Sequence, residues 1–275
     1  MKLFSKTILA CSIAAASLFA GASAQAAEFN QFIINPYGTY DNFAADKITG
    51  NYVETATFNV DGTFNVSLYW KAGQFVTNQG TYAYDADETG LGNSYGIYAL
   101  YKASGKYSQS GAITTFQFIS SPSDSLELIV DTNKNNKLVS NASTGTGDFV
   151  FSNTTDDVVL ASGDPLVGQG ELNPALKTCG TGPTPGASGI NCGSFGSTTT
   201  FVLTDEGKAF FISPTPFYNL SFQSGQLNNF PVGGTRTING SLDVVFANEV
   251  PEPASLGLMG LGLLGLGFLR GRKQS

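Results

Sequence analysis

Short runs rich in Tyr, Phe, Val, Ile and Thr alternate with polar residues and are cut off by clusters of Gly, Asn, Asp and Ser, a pattern that commits most of this chain to β-structure. In Thr63-Phe64-Asn65-Val66-Ser67-Leu68-Tyr69-Trp70, the residues Phe64, Val66 and Leu68 fall on one face, and Asn65 and Ser67 fall on the other. The preceding Val60-Asp61-Gly62 reads as a hairpin turn that pairs this strand with residues 52–59. Further strands are predicted at 29–34, 95–101, 113–119, 126–130, 157–160, 199–203, 209–212, 218–222 and 236–246. Between the ends, no segment holds a helical period over the roughly ten residues a helix needs. Strands at this spacing, joined by short turns, predict an all-β fold, an antiparallel β-sandwich or jelly roll. No repeat of fixed period is present, which argues against a solenoid or propeller. A length of 275 residues permits two domains, but all-β folds of this size often form one. The expected organisation is a signal peptide at 1–26, one β-rich domain at 27–247 and a separate C-terminal segment at 248–275.

The two ends are compositionally unlike the middle. Lys2 and Lys6 precede an apolar run from Thr7 to Ala20, and Ala24-Gln25-Ala26 supplies small residues at a cleavage site, so the predicted mature chain starts at Ala27. At the other end, Val250-Pro251-Glu252-Pro253 leads into an apolar stretch from Ala254 to Leu269 that closes on Arg270, Arg272 and Lys273. As a helix, about 16 residues rise roughly 24 Å, just short of a hydrocarbon core of about 30 Å. The segment therefore spans only if its flanking cations snorkel, and the basic cluster holds the extreme C-terminus in the cytoplasm. The two prolines keep Glu252 in an extended stretch that a processing enzyme can grip.

Charge excludes one class of partner. The whole chain carries 14 Lys and Arg against 21 Asp and Glu. Of these, Lys2, Lys6, Arg270, Arg272, Lys273 and Glu252 lie in the ends, which leaves nine basic and twenty acidic residues in 27–249, a net of −11. Such a body disfavours nucleic acid. The chain has no histidine, which removes Ser-His-Asp and Cys-His catalysis and His-ligated zinc. What remains for an enzyme is carboxylate chemistry of the glycoside-hydrolase kind. Asp46 and Glu54, the loop carboxylates Asp85, Asp87 and Glu88, and the turn Asp205-Glu206-Gly207 are the candidates, and no pair stands out, so no enzyme is expected.

Asp131, Asn133 and Asn135 place oxygen side chains at alternate positions, the first half of a calcium loop, but Asn136 stands where glycine belongs and Ala142 where the closing glutamate belongs. A turn after the 126–130 strand is the simpler reading, and a weak calcium site is the alternative. Trp70, Tyr69, Tyr98 and Tyr101 could stack on sugar rings, as exposed aromatic faces do, or pack in the core. The stretch 163–196 holds four prolines and many glycines and reads as a long loop outside the core. Cys179 and Cys192 bracket its densest part and are the only cysteines left once the signal peptide, with Cys11, is removed. In an oxidising compartment such an isolated pair predicts a disulfide.

The order of proline-glutamate-proline, apolar helix and basic tail at the C-terminus resembles the PEP-CTERM sorting signal of Gram-negative bacteria. The resemblance implies recognition by an exosortase, a membrane cysteine transpeptidase, with the inner membrane holding the chain before it passes to the cell surface or the exopolysaccharide matrix. Phe43-Ala44-Ala45-Asp46-Lys47-Ile48-Thr49-Gly50, Tyr52-Val53-Glu54, Ala72-Gly73-Gln74-Phe75, Pro216-Phe217-Tyr218 and Ile238-Asn239-Gly240 are similar to segments of flocculation-associated PEP-CTERM proteins. That likeness implies association with exopolysaccharide and cell aggregation, without a catalytic residue. A lectin-like carbohydrate-binding module is the alternative expectation, and a carboxylate-dependent glycoside hydrolase the outsider.

Overall fold

The computed structural model describes residues 29–179, 191–224 and 227–247. In chain order its strands are β1 (Phe32–Ile34), β2 (Phe43–Ala45), β3 (Lys47–Phe58), β4 (Thr63–Thr77), β5 (Tyr82–Ala83), β6 (Gly96–Ser110), β7 (Ile113–Ile119), β8 (Ser125–Asp131) and β9 (Lys137–Ser140). They continue as β10 (Val150–Ser152), β11 (Asp157–Gly163), β12 (Pro165–Leu172), β13 (Gly193–Thr199), β14 (Val202–Leu203), β15 (Phe211–Ser213), β16 (Asn219–Ser224) and β17 (Gly234–Ala247). Two short helices, α1 (Ala86–Thr89) and α2 (Asp205–Phe210), lie in connections.

The all-β expectation holds, but the sheet closes on itself. Antiparallel neighbours run β6-β7-β12-β13-β16-β17-β3-β4, and β4 pairs back to β6, giving an eight-stranded barrel-like sheet. This corrects the sandwich or jelly roll. Short alternating strands look the same in a sandwich and a barrel, and only long-range pairing separates the two. The closing contact is long: β17 from Gly234 to Val245 pairs with β3 from Phe58 to Lys47. One edge of β6 is shared, its first half with β8 and its second half with β7, so β8, β11 and β14 leave the ring as a side arm.

The predicted hairpin forms, with Phe58 opposite Phe64, Gly62 at φ 82° and the Thr63 amide donating to Asp61 Oδ1 at 3.0 Å. Alternation then sets the interior. Ile48, Tyr52, Glu54, Ala56 and Phe58 of β3 and Phe64, Val66, Leu68 and Trp70 of β4 are all buried. One end of the ring is closed by Phe32, Phe201, Phe211, Phe217 and Phe246, with centroids as close as 4.8 Å. The opposite end is filled by Phe58, Phe64, Phe116 and Phe118, with Phe230 stacked on Phe58 at 5.8 Å.

The stretch 163–196 corrects a second expectation. It contains the barrel strand β12 and the first part of β13, which pair with each other. Glycine hid them. A Cβ at Gly168 would fall 2.9 Å from Phe118 Cδ2, and one at Gly170 would fall 2.9 Å from Phe195 Cβ. Inward-facing glycine is what lets β12 cross rings supplied by its neighbours. The acidic turn at 205–207 is likewise the first turn of α2, capped by Thr204, whose Oγ1 accepts from the Gly207 amide at 3.0 Å. Residues 209–212, expected as one strand, end that helix and begin β15.

Cys179 and Cys192 are bonded, as expected, with Cα atoms 4.4 Å apart. Cys192 is fully buried, and its amide and carbonyl bond Leu227 and Asn173, which ties the loop to the mouth of the ring. Closing a loop of about 14 residues contributes roughly 3 kcal/mol in the chain-entropy model. Replacing both cysteines by serine should lower unfolding stability by about that amount in urea titration. An unchanged midpoint would show that the bridge adds nothing.

Candidate functional site

The four aromatic residues considered for sugar stacking separate onto two faces. Trp70 is 0% exposed, and its indole Nε1 donates to the Leu242 carbonyl at 2.9 Å inside the ring. Tyr101 is also interior, with its hydroxyl 2.6 Å from Ser197 Oγ. Tyr69 and Tyr98 face the other way, as strand parity requires of residues adjacent to or three apart from interior ones. There they meet Phe149 and Phe151, with Tyr69 5.0 Å from the Phe151 ring, and burial pushes the Tyr69 hydroxyl up to about 12. Trp70 and Tyr69 therefore cannot form one stacking platform.

Asp131 ends β8, and its two oxygens accept from the Asn135 and Asn136 amides at 3.0 and 2.9 Å. The Asn133 amide and the Asn135 side-chain amide instead reach Asp156, at 2.9 and 3.0 Å. These oxygens hold the turn after β8 against the start of β11. Among the described residues, no group of three or more Cys, Asp or Glu side chains is arranged to hold a metal ion. Four of the other candidate carboxylates, Asp46, Glu88, Asp87 and Asp205, are similarly engaged. Asp46 accepts from the Gln79 and Gly80 amides, Glu88 caps α1 through the Asp85 amide at 2.7 Å, Asp87 accepts from Asn93 at 2.7 Å, and Asp205 pairs Lys208 at 2.8 Å.

Glu54 is different. It points into the ring from the middle of β3, opposite Leu68 on one side and Ile238 on the other. A cavity of ≈ 30 Å³ adjoins it, walled by Phe58, Phe64, Phe118, Phe195 and Phe230 among others. Burial alone pushes its carboxyl up to about 8, so it is protonated at neutral pH. Burial raises the hydroxyls of Tyr52 and Tyr101, and the charge of Glu54 adds to that rise in both. One carboxyl without a second beside it is not the paired arrangement that glycoside hydrolysis uses.

A concavity of ≈ 1230 Å³ lies outside the ring, on β7, β12, β13 and β16, with Lys106 and Ser108 of β6 at its margin. Gln117, Gln169 and Gln223 project into it, with Thr115, Thr198, Ser194 and Ser221. Sequence reading missed this surface because two of its strands lay in the stretch taken for a loop. The usable signal was an outward glutamine recurring in three separate strand-like runs.

Ala24, Ala26 and Ala27, the motif Val250, Pro251, Glu252 and Pro253, and the basic Arg270, Arg272 and Lys273 lie outside the described residues. Among the described residues, no helix is long and apolar enough to cross a membrane. Residues 249–273 match the family model for the PEP-CTERM protein-sorting motif. The chain carries a PEP-CTERM sorting motif. This motif implies exosortase-dependent sorting to the cell surface. It covers the tail only, so it says where the barrel is sent and leaves the barrel's own task to be argued from its surfaces. No curated protein and no solved structure matches the chain.

Proposed function

We propose that this PEP-CTERM protein is a non-enzymatic component of the cell surface or extracellular matrix of a Gram-negative bacterium, where it associates with exopolysaccharide and supports cell aggregation and flocculation. The observation that carries the reading is the sorting motif at 249–273 following a folded, acidic β-body. The hydrogen bonds that hold Asp46, Asp87, Glu88 and Asp205, and the lack of a second carboxyl beside Glu54 among the described residues, support a binding role over catalysis. So does the absence of histidine from the chain. The apolar segment 254–269 serves as a temporary anchor in the inner membrane, since its length is marginal for permanent spanning. Its removal by exosortase then frees the body for the matrix.

Deleting residues 250–275 in the producing cells tests the assignment. Most of the protein should move from the cell-surface fraction to the periplasm or the medium, as read by immunoblot of fractionated cells, and flocs should settle more slowly. Unchanged surface retention together with unchanged settling would overturn both the sorting and the aggregation role.

A further inference from the structure

We propose that the outer groove on β7, β12, β13 and β16 is a binding site for an extended, uncharged polysaccharide strand. The inference rests on the matrix-association reading above and assigns it a surface. Pairing register aligns the key groups into one row: Lys106 lies opposite Gln117, Gln117 opposite Gln169, Gln169 opposite Gly196, and Gly196 opposite Gln223. At roughly 4.8 Å between strands, the row runs about 19 Å across the groove, long enough for several sugar units in line. Hydroxyl groups flank the row on both sides, with Thr115 and Ser194 in one register and Thr198 and Ser221 in the other.

Three properties select the ligand. First, each glutamine amide both donates and accepts, which is the complement of a sugar hydroxyl. Among the described residues, no protein group hydrogen-bonds the side chains of Gln117, Gln169 or Gln223, which are exposed. Second, the groove is nearly uncharged on a body of net −11: its lining includes one cation, Lys106, and one anion, Glu171. An acidic polymer would meet a single lysine on an anionic protein, and a basic one would find its partners elsewhere on the surface. Third, Val167 is the only exposed aliphatic side chain among the lining residues, and the aromatic residues of the lining, Tyr107, Phe116, Phe118 and Phe195, pack into or against the core, so the groove offers little of the apolar and aromatic centre that a protein partner buries.

Gly196 adds an independent argument. It sits mid-strand in the row, between Gln169 and Gln223, and a Cβ there would meet nothing closer than the Phe222 carbonyl at 3.5 Å, an ordinary contact. Neither packing nor backbone conformation requires glycine at this position, whereas glycine weakens a strand interior. Its effect is to leave the floor of the groove open between Gln169 and Gln223. The inward glycines of β12 answer to packing, and Gly196 answers to the groove.

The test is affinity electrophoresis of the exported protein in native gels containing dextran, soluble starch, galactomannan, the neutral fraction of the producer's own matrix polysaccharide, or alginate as the acidic polymer. Two variants are compared, Gln117→Ala/Gln169→Ala/Gln223→Ala and Gly196→Val, the second of which should melt at or above the parent temperature because valine suits a strand. The expected result is retardation of the parent by at least one neutral polymer, with apparent affinity lowered about tenfold or more in both variants, since each lost hydrogen bond weakens binding and a filled floor blocks the strand. Equal retardation of parent and variants would overturn the groove while leaving matrix association intact. Retardation by alginate alone would overturn the uncharged ligand. No retardation in any gel would overturn the groove and matrix association together, while the sorting result of the tail deletion would stand apart.

Discussion

Trp70→Ala is expected to lower the unfolding stability by about 4 kcal/mol, in the middle of what truncating a buried aromatic ring costs. The ring is wholly enclosed, and its Nε1 donates to the Leu242 carbonyl, so the substitution removes packing and a buried hydrogen bond together. Total stability of a domain is about 5–15 kcal/mol, so this is a large share of it. Gly50→Ala should act at the same spot from the other side. Gly50 of β3 lies beneath the indole, and a Cβ there would fall 2.5 Å from Trp70 Nε1 and 2.3 Å from the Lys71 carbonyl, positions that only a backbone shift can relieve. Trp70→Phe keeps most of the volume and should lose well under half as much. Circular dichroism in urea is the suitable measurement, because Trp70 is the chain's single tryptophan and its fluorescence disappears with it. A Trp70→Ala midpoint equal to that of the parent would show that the ring does not organise the barrel. The same result bears on sugar binding. Any loss of glycan affinity in Trp70→Ala reports a damaged fold, and only the exposed glutamines can report the contact.

Strand identity was legible wherever side chains alternate. The run 63–70 and its hairpin partner 52–59 are found as predicted, and the predicted parity of Phe64, Val66 and Leu68 is their observed burial. Parity also held the answer for the aromatic residues, since Tyr69 and Trp70 are neighbours in one strand and had to face opposite sides. Closure was not legible. It depends on β17 returning to β3 across almost the whole length of the body, and nothing local in either strand records that partner. The strands β12 and β13 were lost for a more specific reason. Their inward positions include Gly168 and Gly170, and the rings that fill that space, Phe116, Phe118 and Phe195, come partly from neighbouring strands. A strand whose apolar content is supplied by its neighbours carries no hydrophobic period of its own, and with those two strands went the groove that they build. Glu54 was visible as a carboxylate but not as a buried one, because a single charged residue in an alternating run reads as the wet side of a turn or strand end. The disulfide was legible because only two cysteines remained to pair.

Glu54 makes the barrel lose stability as pH rises, and Glu54→Gln is expected to abolish that loss. In the unfolded chain the carboxyl titrates at its ordinary value near 4.5, and in the folded ring burial holds it at about 8. Below pH 4.5 both states carry the proton and Glu54 contributes no pH dependence. Between 4.5 and 8 the folded state binds the proton and the unfolded state does not, so stability falls as pH rises. Above 8 both are ionised and the loss is complete. At 1.36 kcal/mol for each unit of difference, the full span is worth about 5 kcal/mol as an upper value. Glutamine keeps the shape and carries no proton to lose, so the variant should match the parent near pH 4.5 and exceed it by several kcal/mol at pH 8.5. The difference between the two curves is the informative quantity. Asp124, whose carboxyl burial also raises, adds a slope of the same sign to both proteins and cancels in the comparison. Urea unfolding at half-unit intervals from pH 4 to 9 reads it directly. Parallel curves for parent and Glu54→Gln would mean that the carboxyl is already ionised in the folded ring, with water or a cation reaching it past Phe230, and the interior would then have to be described as an open chamber.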